Sequence, residues 1–281
     1  LHYGIDQFAF AGGVFLNVKA NKRITELDEY RRGFWFPAAG DDSIAIGAAI
    51  LSTIEHQKMQ KLHPSITPMK DNYWGEPIDG NIEAFMKEFN FGDFDVQQPE
   101  NINHAVAELL SKNEIVARCT GKMEYGPRAL GNRSILANPG SLANVQTLNA
   151  MIKNRDFWMP FAGTILDKSA DRYLSNPDNV PSPYMILSFD THADTWSQIQ
   201  AATHQADHTI RPQILAKEFN PGYYELLEKF EDLTGVGGVL NTSLNLHGDP
   251  MVNLPNEAMY VMENSALKHL ALGNFLISKQ V

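Results

Sequence analysis

GKMEYGPRALGNRSI, residues 121–135, is the stretch on which the reading of this chain turns. It sets Lys122, Arg128 and Arg133 among Gly121, Gly126 and Gly131, with Pro127 stiffening the turn. Glycine lets a backbone bend and approach a ligand closely. Arginine grips carboxylate or phosphate oxygens with two parallel bonds. On a chain of net charge −10, such a local group of cations points to a phosphate or carboxylate site. Taken alone, the same loop also reads as three solvated cations.

The flanking sequence predicts an α/β fold with a mixed sheet. Residues 114–119 read as a strand leading into the loop. Ile102, Val106, Leu109 and Leu110 share one helical face before it. Further on, helices are expected over 142–153, 223–233 and 257–270, the last opened by Pro255. Strands are expected over 161–166, 184–189, 236–240 and 275–278. Residues 1–62 read as part of an α/β unit. Strand candidates lie at 7–11 and 33–37, and a helix over 44–54 follows the turn at Gly40, Asp41, Asp42 and Ser43, which supplies cap acceptors. Residues 63–100 are richer in Pro, Gly, Asn and Asp, with a short helix at 82–89. They read as a connector between a first unit, 1–62, and a second, 101–281.

Three more segments carry candidate chemistry. Lys153 and Arg155, two apart, would project to one side of an extended strand and could clamp successive phosphates; a solvated helix end is the other reading. Thr242, Ser243 and Asn245 follow the apolar run 236–240, where small hydroxyl and amide groups can bond a phosphate, a ribose or a magnesium-bound water. An Asx or Ser turn there is equally compatible with the residues. In THQADHTIRPQ, residues 203–213, His204, Asp207 and Arg211 could orient a phosphate and shuttle a proton. His204 and His208 would pair as metal ligands only on a helix, and Thr209 and Pro212 point to an extended segment.

Composition sets bounds. Hydrophobic content of 43% and charged content of 20% describe an ordinary soluble globular protein of one large or two ordinary domains. The acidic balance argues against general binding to nucleic acid or anionic membranes. The one cysteine, Cys119, excludes an internal disulfide and lies in an apolar run, as a core thiol would. No apolar run reaches membrane-spanning length, so a cytoplasmic protein is expected.

Residues 121–136 closely resemble the signature G-x-M-E-x-G-P-R-A-L-G-N-R-S-I-L of the carbamoyltransferases related to nodulation protein U. The Lys-x-Arg at 153–155 and Ser-x-Asn at 243–245 are similar to the motif pair of the YrdC family, which binds ATP and the carbamoyl-bearing group. Residues 241–245, NTSLN, resemble the carbamoyltransferases' own N-T-S-F-N, with Leu244 in place of Phe, and residues 203–213 resemble another segment of that family.

The resemblance implies a YrdC-like open twisted sheet over 101–281 that makes carbamoyl-adenylate from carbamoyl phosphate, ATP and Mg2+. Transfer to a hydroxyl of a small molecule or sugar would follow. His204, Asp207 and Arg211 would be catalytic. Lys122, Arg128, Arg133, Lys153, Arg155, Thr242, Ser243 and Asn245 would bind ATP and carbamoyl phosphate. Residues 1–62 resemble the tail of an actin-like ATPase (ASKHA) transfer domain. Gly12, Gly13 and Asn17 match its nucleotide loop, and Asp41 stands where it supplies a metal-binding aspartate, unless Asp41 is a helix cap. The family's metal-binding histidines have no counterpart in this sequence. The resemblance therefore implies a fragment, with iron or a similar metal only in a full-length parent. Two alternatives stay open: a threonylcarbamoyl-adenylate synthase-like enzyme, and a YrdC-like RNA-binding module.

Overall fold

In the computed structural model, which describes residues 5–153 and 159–280, the chain opens on two short parallel strands. β1 (Gln7–Phe10) pairs with β2 (Arg32–Trp35), Phe10 opposite Trp35. The Phe10 and Trp35 rings stack at 3.9 Å. Between the strands runs α1 (Val18–Thr25), capped by the Asn17 side chain, which accepts from the amides of Lys19 and Ala20. Capping of this kind satisfies amides that have no partner within the helix. α2 (Ile44–Met59) follows a tight turn at Asp41–Ser43. It is longer than expected and buries none of its residues. α3 (Asp79–Glu88) tucks Ile82 under the main sheet.

The remaining elements build one large mixed sheet, its cover and a small antiparallel sheet. They are β3 (Phe94–Gln97), α4 (Ile102–Ser111), β4 (Val116–Cys119), β5 (Arg133–Ala137) and α5 (Leu142–Leu148), then β6 (Ala162–Leu166), α6 (Ala170–Tyr173), β7 (Leu174–Ser175), β8 (Phe189–Thr191) and α7 (Trp196–Ile199). There follow β9 (Thr209–Ile210), β10 (Pro212–Leu215), α8 (Pro221–Thr234), β11 (Gly238–Ser243), α9 (Pro255–Glu263), β12 (His269–Leu272) and β13 (Phe275–Lys279). The small sheet runs β7-β8-β9, and the eight strands of the large one lie in the order β10-β6-β11-β5-β4-β12-β13-β3. Two neighbour pairs, β10–β6 and β4–β12, are parallel, and the others are antiparallel.

Both faces of this sheet are covered, and the side chains alternate accordingly. Val116, Leu136, Leu166 and Val239 point to one face, where Leu110 of α4 and Tyr223, Leu227 and Phe230 of α8 meet them. Ala117, Ile135, Ile165 and Leu240 point to the other, against Leu148 of α5 and Met259 and Met262 of α9. The architecture is thus a mixed α/β fold with an open eight-stranded sheet, as expected in class.

Several expected elements differ. Residues 184–188 are buried but not a strand; Met185 takes a left-handed backbone (φ 56°) that breaks any strand, so only Phe189 enters β8. The helix expected to Leu270 ends at Glu263, and residues 269–272 instead pair as β12 beside β4. β11 does not stop at Leu240. It carries Asn241, Thr242 and Ser243 into the sheet opposite Leu136, Ile135 and Ser134. The strand β5 was hidden in the glycine-rich signature.

Gly131 ends the loop between β4 and β5 with φ +113°, and a Cβ there would come within 2.3 Å of the Tyr223 ring of α8. Gly131→Ala is expected to cost about 2–4 kcal/mol, combining the left-handed penalty with overpacking against a ring held in the core. Denaturant midpoints of the two proteins check this; equal midpoints would contradict the placement of the loop on α8.

Candidate functional site

The loop joining β4 to β5 folds around a buried carboxylate. Glu124 Oε1 accepts from the main-chain amides of Leu130 at 2.8 Å, Asn132 at 2.7 Å and Arg133 at 3.3 Å. Arg133 is fully buried, and its guanidinium is committed to carbonyls. Nε donates to Asn253, Nη1 to Thr120 and Asn132, and Nη2 to Gly121. Arg133 thus ties the loop's two ends together through main-chain carbonyls. Arg118 of β4 lies over the Tyr223 ring and donates to Gly131 and Asn132; its burial lowers its pKa from the usual arginine value. Residues 72–78 lie along the loop, with Tyr73 Oη donating to Leu130 O at 2.7 Å and Gly75 N to Met123 O at 3.0 Å.

The loop's Arg128 reaches a cleft of about 630 Å³. Arg211, His204, His247, Lys19 and Ser188 line the same cleft, with Met159, Pro160 and Phe161 along one side. Among the described lining residues there is no aspartate or glutamate. The Ser188 hydroxyl is buried and lacks a hydrogen-bond partner among the described residues, so it suits a polar ligand atom. Three residues singled out by their motifs, Arg128, His204 and Arg211, therefore meet in one place although far apart in sequence.

Asp207 stands beside them. Residues 204–208 form a tight turn rather than the expected extended segment, closed by His208 N donating to His204 O at 2.8 Å, with His208 itself left-handed. The Asp207 carboxylate meets Lys19 Nζ at 2.6 Å and His204 Nδ1 at 3.3 Å, and accepts from the Thr209 hydroxyl and amide. Partial burial disfavours its charge. The bonds from Lys19 and Thr209 outweigh that and hold the carboxyl well below the usual aspartate range.

The other candidates are placed elsewhere. Lys122 lines a separate groove of about 730 Å³ with Phe34, Phe36, Ile50 and Trp74. Thr242 is buried in β11. Ser243 Oγ donates to Asn245 Oδ1 at 2.6 Å, and Asn245 Nδ2 donates to Leu246 and Asp249 carbonyls. Lys153 closes a π turn (Asn149–Lys153) rather than a strand, and Arg155 lies outside the described residues. Gly12 precedes and Gly13 opens the turn Gly13–Leu16, and Asn17 is a helix cap. Asp41 is exposed in its turn. Among the described residues no three carboxylate, imidazole or thiolate groups converge as a metal site, so the donors present around Asp41 do not by themselves fit a transition metal.

Lys19, Ser188 and His247 belong to the cleft but carry no motif that sequence reading used. Lys19 follows two residues after the cap Asn17, and His247 two after Asn245; proximity to quoted motifs was the only available signal.

Fold and cleft together describe a mixed α/β protein with a cleft lined by two arginines, a lysine and two histidines. Residues 2–50 match the carbamoyltransferase N-terminus family model and residues 107–279 the carbamoyltransferase C-terminus model. The chain belongs to the carbamoyltransferase family. It is 34% identical to uncharacterized protein MJ1058 of Methanocaldococcus jannaschii, over 99% of this chain and 45% of that protein. It is 31% identical to nodulation protein NolO of Bradyrhizobium diazoefficiens, over 99% and 50%. The chain thus spans about half the length of the relatives it matches. The crystal structure of full-length HypF in its phosphate- and nucleotide-bound form aligns with a TM-score of 0.43 at 16% identity, covering 67% of this chain and 23% of that one. No helix among the described residues is long and apolar enough to cross a membrane.

The Asp207 shift sets a pH dependence. A carboxyl whose folded pKa is depressed contributes stability above its unfolded value, near 4, and loses it as pH falls further. Asp207→Asn should therefore be less stable at pH 7, by under about 1 kcal/mol because both members of the Lys19 pair are about half exposed. The difference should shrink progressively below pH ~4. Denaturant titrations at pH 7 and pH 3 measure it.

Proposed function

We propose that the cleft binds carbamoyl phosphate and ATP and forms carbamoyl-adenylate with consumption of one water: water cleaves carbamoyl phosphate to carbamate and phosphate, and a carbamate oxygen then attacks the α-phosphorus of ATP and displaces pyrophosphate, for transfer of the carbamoyl group to a hydroxyl of a small molecule or sugar. The observation that carries this reading is the cleft's charge. Two arginines, a lysine and two histidines line it with no carboxylate among the described lining residues, on a chain of net charge −10 that belongs to the carbamoyltransferase family. Joining two phosphate compounds brings several negative oxygens together. Fixed cations offset that repulsion and hold the reacting groups in line.

In this reading Arg128 and Arg211 grip phosphate oxygens, and His204, oriented through Nδ1 by Asp207, gives or takes a proton. The Ser188 hydroxyl bonds a ligand oxygen. Lys153 and Arg155 add cations, an assignment supported by the chain re-entering the cleft wall at Met159. Ser243 and Asn245 hold the end of β11 beside the β5 strand that leaves the loop. Magnesium arrives with the nucleotide as its counter-ion. Residues 101–281 act as a YrdC-like adenylate-forming unit and residues 1–62 as part of an ASKHA-type transfer unit. Asp41 would hold a metal of the transfer step only together with histidines this sequence does not contain.

Calorimetry with ATP and carbamoyl phosphate, separately and together, tests the reading, with pyrophosphate release as the reaction signal; absence of binding by either compound would overturn it. Arg128→Ala should fold as the parent does and bind carbamoyl phosphate or ATP more weakly by about 1.5–3 kcal/mol, the worth of a hydrogen bond to a charged group. Unchanged affinity for both compounds would remove Arg128 from the site.

A further inference from the structure

Lys19 is an odd residue at its position. It is the second residue of α1, where the helix dipole disfavours a cation, while Lys22 and Arg23 occupy the favourable last turn. Its ammonium reaches across to the turn 204–208, bonding Asp207 and the Thr209 hydroxyl, and it lines the cleft.

That contact is not what seats α1. The same helix is fastened by Lys22 Nζ to Asp190 at 2.6 Å, with Lys22 only 14% exposed, and by Asn21 Nδ2 donating to Ile186 O at 2.9 Å, with Asn21 fully buried. Neither residue lines the cleft. Lys19 and Asp207 are 47% and 46% exposed, so their pair is the weakest of these ties. Lys19 can turn toward the cleft while α1 stays docked.

Resting on the reading of the cleft as a phosphate site, we propose that Lys19 is a phosphate-binding residue, shared between Asp207 and a bound polyphosphate. A charge-assisted bond to phosphate oxygens inside a cationic cleft is stronger than a half-exposed surface pair, so an incoming polyanion draws Lys19 off Asp207. Lys19 lies within the residues that match the N-terminus model, whereas Arg128, His204 and Arg211 lie within those that match the C-terminus model. The bound polyphosphate therefore clamps the two segments together, and occupancy of the cleft stabilises the seat of α1.

The test is titration calorimetry of the full chain with inorganic pyrophosphate and with ATP, on the parent, Lys19→Met, Lys22→Met and Asp207→Asn, each confirmed folded by circular dichroism. Lys19→Met should weaken pyrophosphate binding at least tenfold and reduce its salt dependence. Lys22→Met should stay within twofold of the parent. Asp207→Asn should bind more tightly, because the competitor for Lys19 is gone. Hydrogen exchange supplies an independent readout: pyrophosphate should slow exchange of the α1 amides in the parent and not in Lys19→Met. Equal losses in Lys19→Met and Lys22→Met would show that Lys19 acts only by docking the helix and overturn the proposal. Unchanged affinity in Lys19→Met, or weaker binding in Asp207→Asn, would overturn it as well. A parent that binds neither pyrophosphate nor ATP nor carbamoyl phosphate would instead refute the phosphate reading of the cleft, and the role of Lys19 with it.

Discussion

A carboxylate taken out of water loses several kcal/mol of hydration that only close, well-directed donors can replace. Glu124 is such a group, and the loop from β4 to β5 is shaped by the need to supply it. One of its oxygens collects three main-chain amides from the far end of the loop. To bring them there the chain must double back, which it does through left-handed Gly126 and Gly131. Arg133 then spans the loop's mouth, bonding carbonyls at Thr120 and Gly121 on one side and Asn132 on the other. Acid and base each bond the main chain. Each neutralises main-chain dipoles, so the backbone itself becomes the lattice. Arg128 sits on this lattice and reaches the cleft from it.

The two arginines of GPRALGNR thus do different work for a reason that residue type cannot reveal. An arginine has five donors in a rigid fork. Buried among carbonyls, Arg133 is a brace; at the cleft, Arg128 is the residue proposed to meet oxyanions. Lys122 makes the same point. Its carbonyl accepts from Asn132 Nδ2 within the loop, yet its side chain borders an apolar groove facing β2 and α2. The sequence reading grouped Lys122, Arg128 and Arg133 by proximity along the chain. The fold separates them because alternate residues of a tight loop point in different directions.

Much of the fold could be read from local signals. α4 and α8 have an apolar stripe, an asparagine cap and, for α8, a closing left-handed Gly235. β4 and β6 are short apolar runs with turn residues around them. Elements whose identity depends on partners were harder. β5 begins with a charged residue and a serine, and only pairing with β4 and β11 makes it a strand. The segment 184–188 has strand composition, but Met185 adopts a turn conformation imposed by packing. The helix after Pro255 stops early because Ser265 Oγ bonds back to Val261 O and the chain then joins β4 in parallel register. In the cleft, the residues in quoted motifs were legible, whereas Lys19, Ser188 and His247 are brought in by tertiary packing alone.

Collecting cations in one cleft has an electrostatic cost, since each raises the energy of the others when water is partly excluded. Among the described lining residues no acid shares the cleft, and the acids described near it stand at its edge. Asp207 stands at the edge and engages Lys19 and His204 from outside, and Asp190 does the same for Lys22 farther along α1. Asp207 thus borders the cleft on a chain of net charge −10. Such an arrangement repels anions at a distance and attracts them at contact range, within roughly one Debye length of about 8–10 Å. Selectivity then comes from fit. A stray anion gains from one or two of the cations, whereas a ligand long enough to reach Arg128, Arg211 and Lys19 together gains from all three and relieves their mutual repulsion. Under the proposed phosphate reading, such a cleft would favour extended polyphosphate over small monovalent ions, with the Glu124 loop on one wall and the capped helix α1 on the other holding the cations apart.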